Sequence, residues 1–223
     1  MTELAEGTKA EPFRVQWIGA QRNLLEGDLR GHADLQELAR LTHLNAVGPL
    51  DGVRGEVTII NGRPSVAHVS AGSVEVESSW NHRACFLVYC EVAHWQPVRV
   101  PGGVATGLDL ERALPDLGGA VGIDPKTPFP FLIVDETADL GLHVLNKTDG
   151  LPHTAALHEA AKVRFHFKKI RVEMIGFHST AHRSIFTPHN SNVHIHAVAA
   201  DGAVSGHVDR FTLSATAALF LPA

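Results

Sequence analysis

The sequence contains very little cysteine. Of its 223 residues only Cys85 and Cys90 are cysteines, which excludes a small domain held together by several disulfides. They are five apart in a run rich in aromatic and β-branched residues that favours a β-strand, where they would face opposite sides. We therefore expect two buried free thiols in a reducing compartment rather than a disulfide.

An excess of basic charge is also missing. The chain has 19 Lys and Arg against 24 Asp and Glu, a formal net charge of −5, so it has no general attraction for phosphate backbones or anionic lipid. The longest apolar run, 84–90, is far shorter than the ~20 residues of a spanning helix, and residues 1–6 lack the basic start of a signal peptide. We expect a cytoplasmic protein that acts on a small molecule, with neither nucleic acid nor membrane as partner.

Histidine, by contrast, is abundant. The chain has 15 histidines, and many of them lie between residues 143 and 207. Imidazole is the commonest metal ligand and the usual proton carrier near neutral pH, so this concentration draws attention to the C-terminal half as the candidate functional region.

The local patterns predict an α+β protein with mostly antiparallel or mixed sheets and a few short helices. We expect helices over residues 34–44, from Asp109 to just before Pro115, and from Thr154 to about Lys162. Asn61-Gly62 is typical of a two-residue hairpin turn. Bounded by turn-forming residues, the strands expected in the C-terminal half are 129–134, 142–145, 163–167, 172–177, 193–199 and 204–213.

The length fits one large domain or two small ones. We expect a loose N-terminal arm over residues 1–12, a β-rich lobe over 13–125 and a C-terminal metal-binding β lobe over 126–223. The alternative is that the two lobes form one intertwined domain.

The metal site is predicted from strand geometry. His194 and His196 are two apart and so share one face of a strand. Asp201-Gly202 predicts a two-residue turn, and pairing across it places His196 opposite His207 and His194 opposite Asp209. Three imidazoles and one carboxylate would then lie on one face, which could hold a metal ion.

Three histidine ligands with one open position are typical of catalytic zinc, although Fe, Ni, Cu and Mn also accept imidazole. Asp209 is either a partner behind a ligand or an exposed residue at the strand end. The alternating basic residues of 162–168 are either a solvated strand face or a substrate-binding one. Further histidines that could line a pocket are His143, His178, His182 and His189.

These motifs together resemble the α-acetolactate decarboxylase family. The motif His194-x-His196 followed by His207 in a Gly-His-Val context is similar to the family's metal motif, and the segment 50–57 containing Glu56 is similar to its Leu-Asp-Gly-Glu segment. The resemblance extends from about residue 18 to 222. Its further matching segments are 23–31, 35–38, 61–62, 174–177 and 219–222.

The resemblance implies a two-lobed fold, a homodimer, and Zn²⁺ bound by His194, His196 and His207. It further implies Glu56 as the acid/base or water-positioning group. The reaction it implies is decarboxylation of a small 2-hydroxy-3-keto acid, or a related substrate that chelates metal, through an enediolate.

Two departures make the chain a divergent relative. Ile133 stands where the family carries an arginine, so we expect the usual clamp on the substrate carboxylate to be missing. The chain stops at Ala223, before the tail that carries a second glutamate in the family, and we expect that group to be absent too. Two alternatives to the lyase are a zinc-dependent hydrolase that uses metal-bound water and a non-catalytic, metal-containing binding module.

Overall fold

The protein is described by a computed structural model that covers residues 13–223; the predicted arm at 1–12 lies outside this range. Most of the regular structure is β-strand. In chain order the strands are β1 (Gln16–Ile18), β2 (Ala33–Asp34), β3 (Leu44–Pro49), β4 (Glu56–Ile60), β5 (Arg63–Ser70), β6 (Ser73–Glu77), β7 (Arg83–Ala84), β8 (Leu87–Glu91), β9 (Trp95–Val98), β10 (Phe129–Leu145), β11 (Lys162–His178), β12 (Val193–Ala199), β13 (Ser205–Thr212) and β14 (Ala218–Pro222).

The helices are few and short, as expected for this fold class. In chain order they are α1 (Gln21–Leu25), α2 (Leu35–Leu38), α3 (Gly107–Ala120) and α4 (Ala155–Ala160), with a 3-10 turn at Asp51–Val53. Within residues 13–223, none of the helices has the length and apolar character needed to cross a membrane.

The first sheet is antiparallel, in the order β1-β8-β3-β4-β5-β6. The predicted turn at Asn61-Gly62 is confirmed: both residues have positive φ, 48° and 73°, and Ile60 pairs with Arg63 directly across it. One face of this sheet packs on α2 and the short β2–β7 pair, and its other face packs on the second sheet.

The second sheet has the order β11-β12-β13-β10-β14-β9, and an additional pairing of β10 with β11 closes part of it on itself. The two short strands expected at 129–134 and 142–145 are one continuous strand, β10, and those expected at 163–167 and 172–177 are likewise one, β11. The polar residues 135–139 continue the strand because their side chains alternate between buried and exposed sides. Asp135 is accommodated on the buried side because it accepts a hydrogen bond from the Ser214 N–H at 2.9 Å.

The hairpin formed by β12 and β13 has the predicted register but not the predicted turn. His196 pairs with His207 and Val198 with Ser205. The loop consists of the four residues 200–203, closed by a hydrogen bond from the Ala199 N–H to the Val204 carbonyl oxygen at 2.8 Å. A type I′ turn needs positive φ at both central residues, and here Gly202 has it but Asp201 does not.

Two helix predictions need correction. The helix expected over 34–44 ends at Leu38, because His43 has a φ of 54° that no α-helix can contain and Leu44 already begins β3. Helix α3 is capped by Thr106 rather than by Asp109, which supplies the reciprocal contact of a capping box. It also continues through Pro115 to Ala120, six residues further than expected, with one face buried in the core. The cap of α4 by Thr154 is as predicted.

The two sheets do not divide the chain at residue 125. Strand β9 pairs with β14 of the second sheet, and helix α3 packs into the core that contains this sheet. The same core includes Ala67 from β5 of the first sheet, so the two sheets are packed together. The division into lobes at 13–125 and 126–223 stays a prediction.

Candidate metal centre

Three imidazoles converge between the two sheets. The Nε2 atom of His194 lies 3.1 Å from Nε2 of His196 and 3.1 Å from Nδ1 of His207. Ligand atoms about 2.0–2.1 Å from one zinc ion are separated by roughly 3–3.5 Å, so these nitrogens have the spacing of a shared ion. The group forms because His194 and His196 share a face of β12 and because His207 is the cross-strand neighbour of His196.

Contacts behind two of these rings fix their orientation. Nδ1 of His194 donates to the Phe186 carbonyl oxygen at 2.7 Å, and its Nε2 in the neutral ring therefore carries a lone pair. Nδ1 of His196 lies 3.1 Å from the Thr58 hydroxyl, which also accepts a hydrogen bond from Ser205 at 3.1 Å. The Nε2 lone pair of His194 faces the ring nitrogens of His196 and His207, and a cation at this point could accept one lone pair from each ring. The donor set therefore fits a divalent transition metal.

Burial keeps these imidazoles neutral. Desolvation lowers the pKa of His194 to about 4 and holds the pKa values of His196 and His207 well below the ordinary value. Neutral imidazole is the form that binds metal. The lone pairs are therefore available at neutral pH.

Glu56 lies next to this group on the first sheet. Its carboxylate Oε2 is 3.7 Å from Nε2 of His196, and the residue is only 2% exposed. It reaches the histidines because Glu56 and Thr58 share the face of β4 that looks toward β12 and β13. Burial raises the pKa of the Glu56 carboxyl well above its ordinary value.

Asp209 occupies a different place from the one predicted. Instead of standing opposite His194, its Oδ1 lies 2.8 Å from Nδ1 of His143, a buried residue on β10. The ring of His143 in turn packs 4.6 Å from that of His207. The observed pairing of β12 with β13 runs only from His196 to Val198, which is why the expected pairing of His194 with Asp209 does not form.

A cavity of about 390 Å³ is lined by His194, His207 and Glu56. Its walls combine apolar side chains with the cations of Arg22 and Lys162 and the carboxyl groups of Glu56 and Glu159, a mixture typical of a site for a small polar ligand. The lining residues beyond the metal group include Arg22, Leu24, Phe86, His143, Leu145, His158, Lys162 and His189.

Two of the histidines predicted as pocket residues lie elsewhere. His178 is buried against the Phe129 ring, with ring centres 4.8 Å apart, and His182 lies 2.7 Å from the Ser179 hydroxyl and stacks on Phe186. Neither belongs to the cavity lining, whereas His143 and His189 do.

Position 133 contributes no cation to the cavity, which is lined by the cations Arg22 and Lys162. Ile133 pairs with Met174 and is 1% exposed in the core. Lys162, at the start of β11, lines the cavity instead, and sequence reasoning had placed it only in an alternating basic strand. Thr58 was also missed; its position two residues after Glu56, on the same strand face, was the available signal.

The fold is similar to those of three solved structures. The α-acetolactate decarboxylase of Bacillus subtilis strain 168 superposes with a TM-score of 0.73 at 15% identity, covering 93% of this chain and 84% of that one. Acetolactate decarboxylase from Bacillus subtilis subspecies spizizenii gives 0.74 at 14% identity, with 94% and 85% covered. A Staphylococcus aureus protein of unknown function similar to α-acetolactate decarboxylase gives 0.69 at 16% identity, with 93% and 84% covered.

Sequence comparisons add no relative, because no protein-family model matches the chain and no curated protein matches it either. At 14–16% identity the structural similarity establishes the fold alone. The chain therefore has an acetolactate-decarboxylase-like fold, built mostly from antiparallel sheets with a few short helices.

Proposed function

We propose that the protein is a metal-dependent carbon–carbon lyase that decarboxylates a small 2-hydroxy-3-keto acid or a related chelating acid. The observation that carries this proposal is the convergence of His194, His196 and His207, with nitrogen separations of 3.1 Å, at a cavity that also contains the Glu56 carboxyl. The fold shared with the decarboxylase structures supports it.

The three imidazole nitrogens are the proposed ligands of Zn²⁺ or a similar divalent ion. When bound, such an ion polarises a substrate carbonyl and stabilises the negative charge left as carbon dioxide departs. The chain supplies the orientation of the ligands through the Phe186 carbonyl and the Thr58 hydroxyl.

Glu56 is the proposed proton donor. Loss of carbon dioxide breaks the bond to the carboxylate carbon and leaves an electron pair that must take up one proton. The Glu56 carboxyl lines the cavity beside the ligand group and is held rigidly in β4, so it can deliver a proton and recover one from solvent.

Lys162 is the proposed partner of the substrate carboxylate. Its side chain lines the cavity, and its ammonium lies 3.0 Å from Glu159 at the rim. Glu56 and His207 line the same cavity; burial is the larger cause of each pKa shift, and the charge of Lys162 lowers the pKa of both groups. A cation at this position could bind the substrate carboxylate although position 133 carries isoleucine rather than arginine.

The test is turnover by metal-loaded protein of acetolactate and of longer 2-hydroxy-3-keto acids, followed as carbon dioxide release. We expect turnover that is lost in His194→Ala and falls by two or more orders of magnitude in Glu56→Gln, the scale of a lost general acid. Lys162→Met should raise KM, whereas Lys168→Met, an exposed lysine on the same strand, should not.

His94→Ala, an exposed histidine away from the ligand group, is the matched control for the ligand variant. Metal-loaded protein that releases no carbon dioxide from any of these acids, yet hydrolyses an activated ester, would replace the lyase by the hydrolase. Unchanged turnover in Glu56→Gln would remove its role as proton donor.

A further inference from the structure

A second group of ligating side chains lies on the first sheet. His68 of β5, Glu77 at the end of β6 and His82 just before β7 meet there, and one ligand atom from each lies within 4.8 Å of the others. Oε1 of Glu77 is 2.8 Å from Nε2 of His82 and 3.6 Å from Nε2 of His68. These separations bracket the roughly 3–3.5 Å expected for ligands that share one transition-metal ion.

The contacts of His68 argue for a cation between these groups. Nδ1 of His68 lies 3.0 Å from the Arg54 carbonyl oxygen, which can only accept, so Nδ1 carries the hydrogen. In the neutral ring Nε2 then holds a lone pair, and this lone pair faces the carboxylate oxygen of Glu77 at 3.6 Å. Two electron-rich atoms facing each other need a proton or a metal ion between them.

The backbone contact to Arg54 also has a known counterpart in metal sites. Imidazole ligands usually donate their other ring N–H to a carbonyl or carboxylate, which fixes the ring and raises the basicity of the ligating nitrogen. For His82 to bind a metal through Nε2, its ring hydrogen must be on Nδ1 instead. The three residues are further fixed by β5, by β6 and by a backbone hydrogen bond from the Leu35 N–H to the His82 carbonyl oxygen at 3.1 Å.

This group is separate from the first one because it lies on the opposite face of the sheet. Glu56 pairs directly with Ala67, and both face the second sheet. His68 is the next residue along β5 and so faces the other way, as does Glu77, whose strand partner is Val66.

We propose that His68, Glu77 and His82 form a second site for a divalent transition metal, with Zn²⁺ as the expected ion. Two imidazoles and one carboxylate are a donor set that zinc accepts, and both histidines line a cavity of about 600 Å³. The ion ties the edge strand β6 to the segment that leads into β7.

The experiment measures bound zinc after dialysis, together with the visible spectrum of Co²⁺-loaded protein. The variants are His194→Ala/His207→Ala, which disables the first group, His68→Ala/His82→Gln, which disables the second, and His94→Ala as control. We expect the first two variants each to lose one equivalent relative to wild type and the control to lose none. Circular dichroism checks that each variant is folded.

The outcomes separate this proposal from the proposed function. If zinc remains in His194→Ala/His207→Ala and disappears on adding Glu77→Gln, the second site stands whatever the first one does. If the first pair of substitutions removes all bound metal from folded protein, or if His68→Ala/His82→Gln loses none, the second site is overturned. Should the first variant fail to fold, the wild-type comparison with His68→Ala/His82→Gln still decides.

Discussion

At the scale of single residues, the site depends on side chains that orient the ligands as much as on the ligands themselves. His194 and His196 could be placed from the sequence because alternation along a strand is a simple rule, and His207 followed from the register. Thr58 and the Phe186 carbonyl could not be placed. They approach from another sheet and from a loop, and no local pattern encodes such a contact.

Thr58 offers a test of this orientation. In Thr58→Val the Nδ1 atom of His196 and the Ser205 hydroxyl lose their buried partner, so the ring is held less firmly. We expect the affinity for Zn²⁺ to fall about 10–100-fold, the usual effect of removing a group that supports a metal ligand. Competition with a chromophoric chelator measures it.

Thr42→Val is the matched control, because Thr42 is exposed and lies outside the ligand group. If both variants bind zinc with equal affinity, Thr58 has no part in orienting His196.

At the scale of secondary-structure elements, the hairpins were predictable and the long strands were not. Asn61-Gly62 carries its turn geometry in two residues, so the sequence alone was sufficient. Strand β10 was predicted as two pieces because its polar middle resembles a loop; pairing with β11, β13 and β14 and the contact of Asp135 with Ser214 keep it extended. Such long-range partners are not visible in a local pattern.

Gly176 tests the packing between β10 and β11. A Cβ atom added there would lie 2.2 Å from the Phe131 ring, which is fully buried and cannot move aside cheaply. We expect Gly176→Ala to lower the free energy of unfolding by about 1–3 kcal/mol, as overpacking usually does. Urea denaturation measures it.

Gly119→Ala in α3 is the comparison, since a Cβ atom there would meet no neighbour within 4 Å and alanine favours a helix. A Gly176→Ala variant as stable as the Gly119→Ala variant would show that the Phe131 ring adapts.

At the scale of the whole molecule, the two sheets together build the candidate site. The second sheet supplies the histidines and the first supplies Glu56 and Thr58, so neither sheet contains the site alone. The fold class was predictable from the frequency and antiparallel character of the strands. The sequence did not predict that β9 and α3 belong with the second sheet. Their positions depend on long-range contacts, the pairing of β9 with β14 and the packing of α3 in the core of that sheet. The homodimer and the small-molecule substrate stay predictions.

The two cysteines report on the integrity of this assembly. Burial raises the pKa of Cys85 to about 12 and that of Cys90 further, and both are at most 2% exposed. Thiolate is the reactive form, so folded protein at pH 8 should react with a disulfide reagent only as fast as it opens. In denaturant both thiols should react at once. Rapid labelling of folded protein would contradict the packing of the two sheets.

The alternation along β4 makes the length of the preceding segment chemically significant. Glu56 and Thr58 face the imidazoles, while Val57 and Ile59 face the cluster under α2. Removing one residue between Asp51 and Gly55 while the strand kept its place would invert this arrangement, turning aliphatic groups toward the nitrogens and a carboxyl into hydrocarbon. A single deletion in this turn would therefore remove both Glu56 and Thr58 from the candidate site at once.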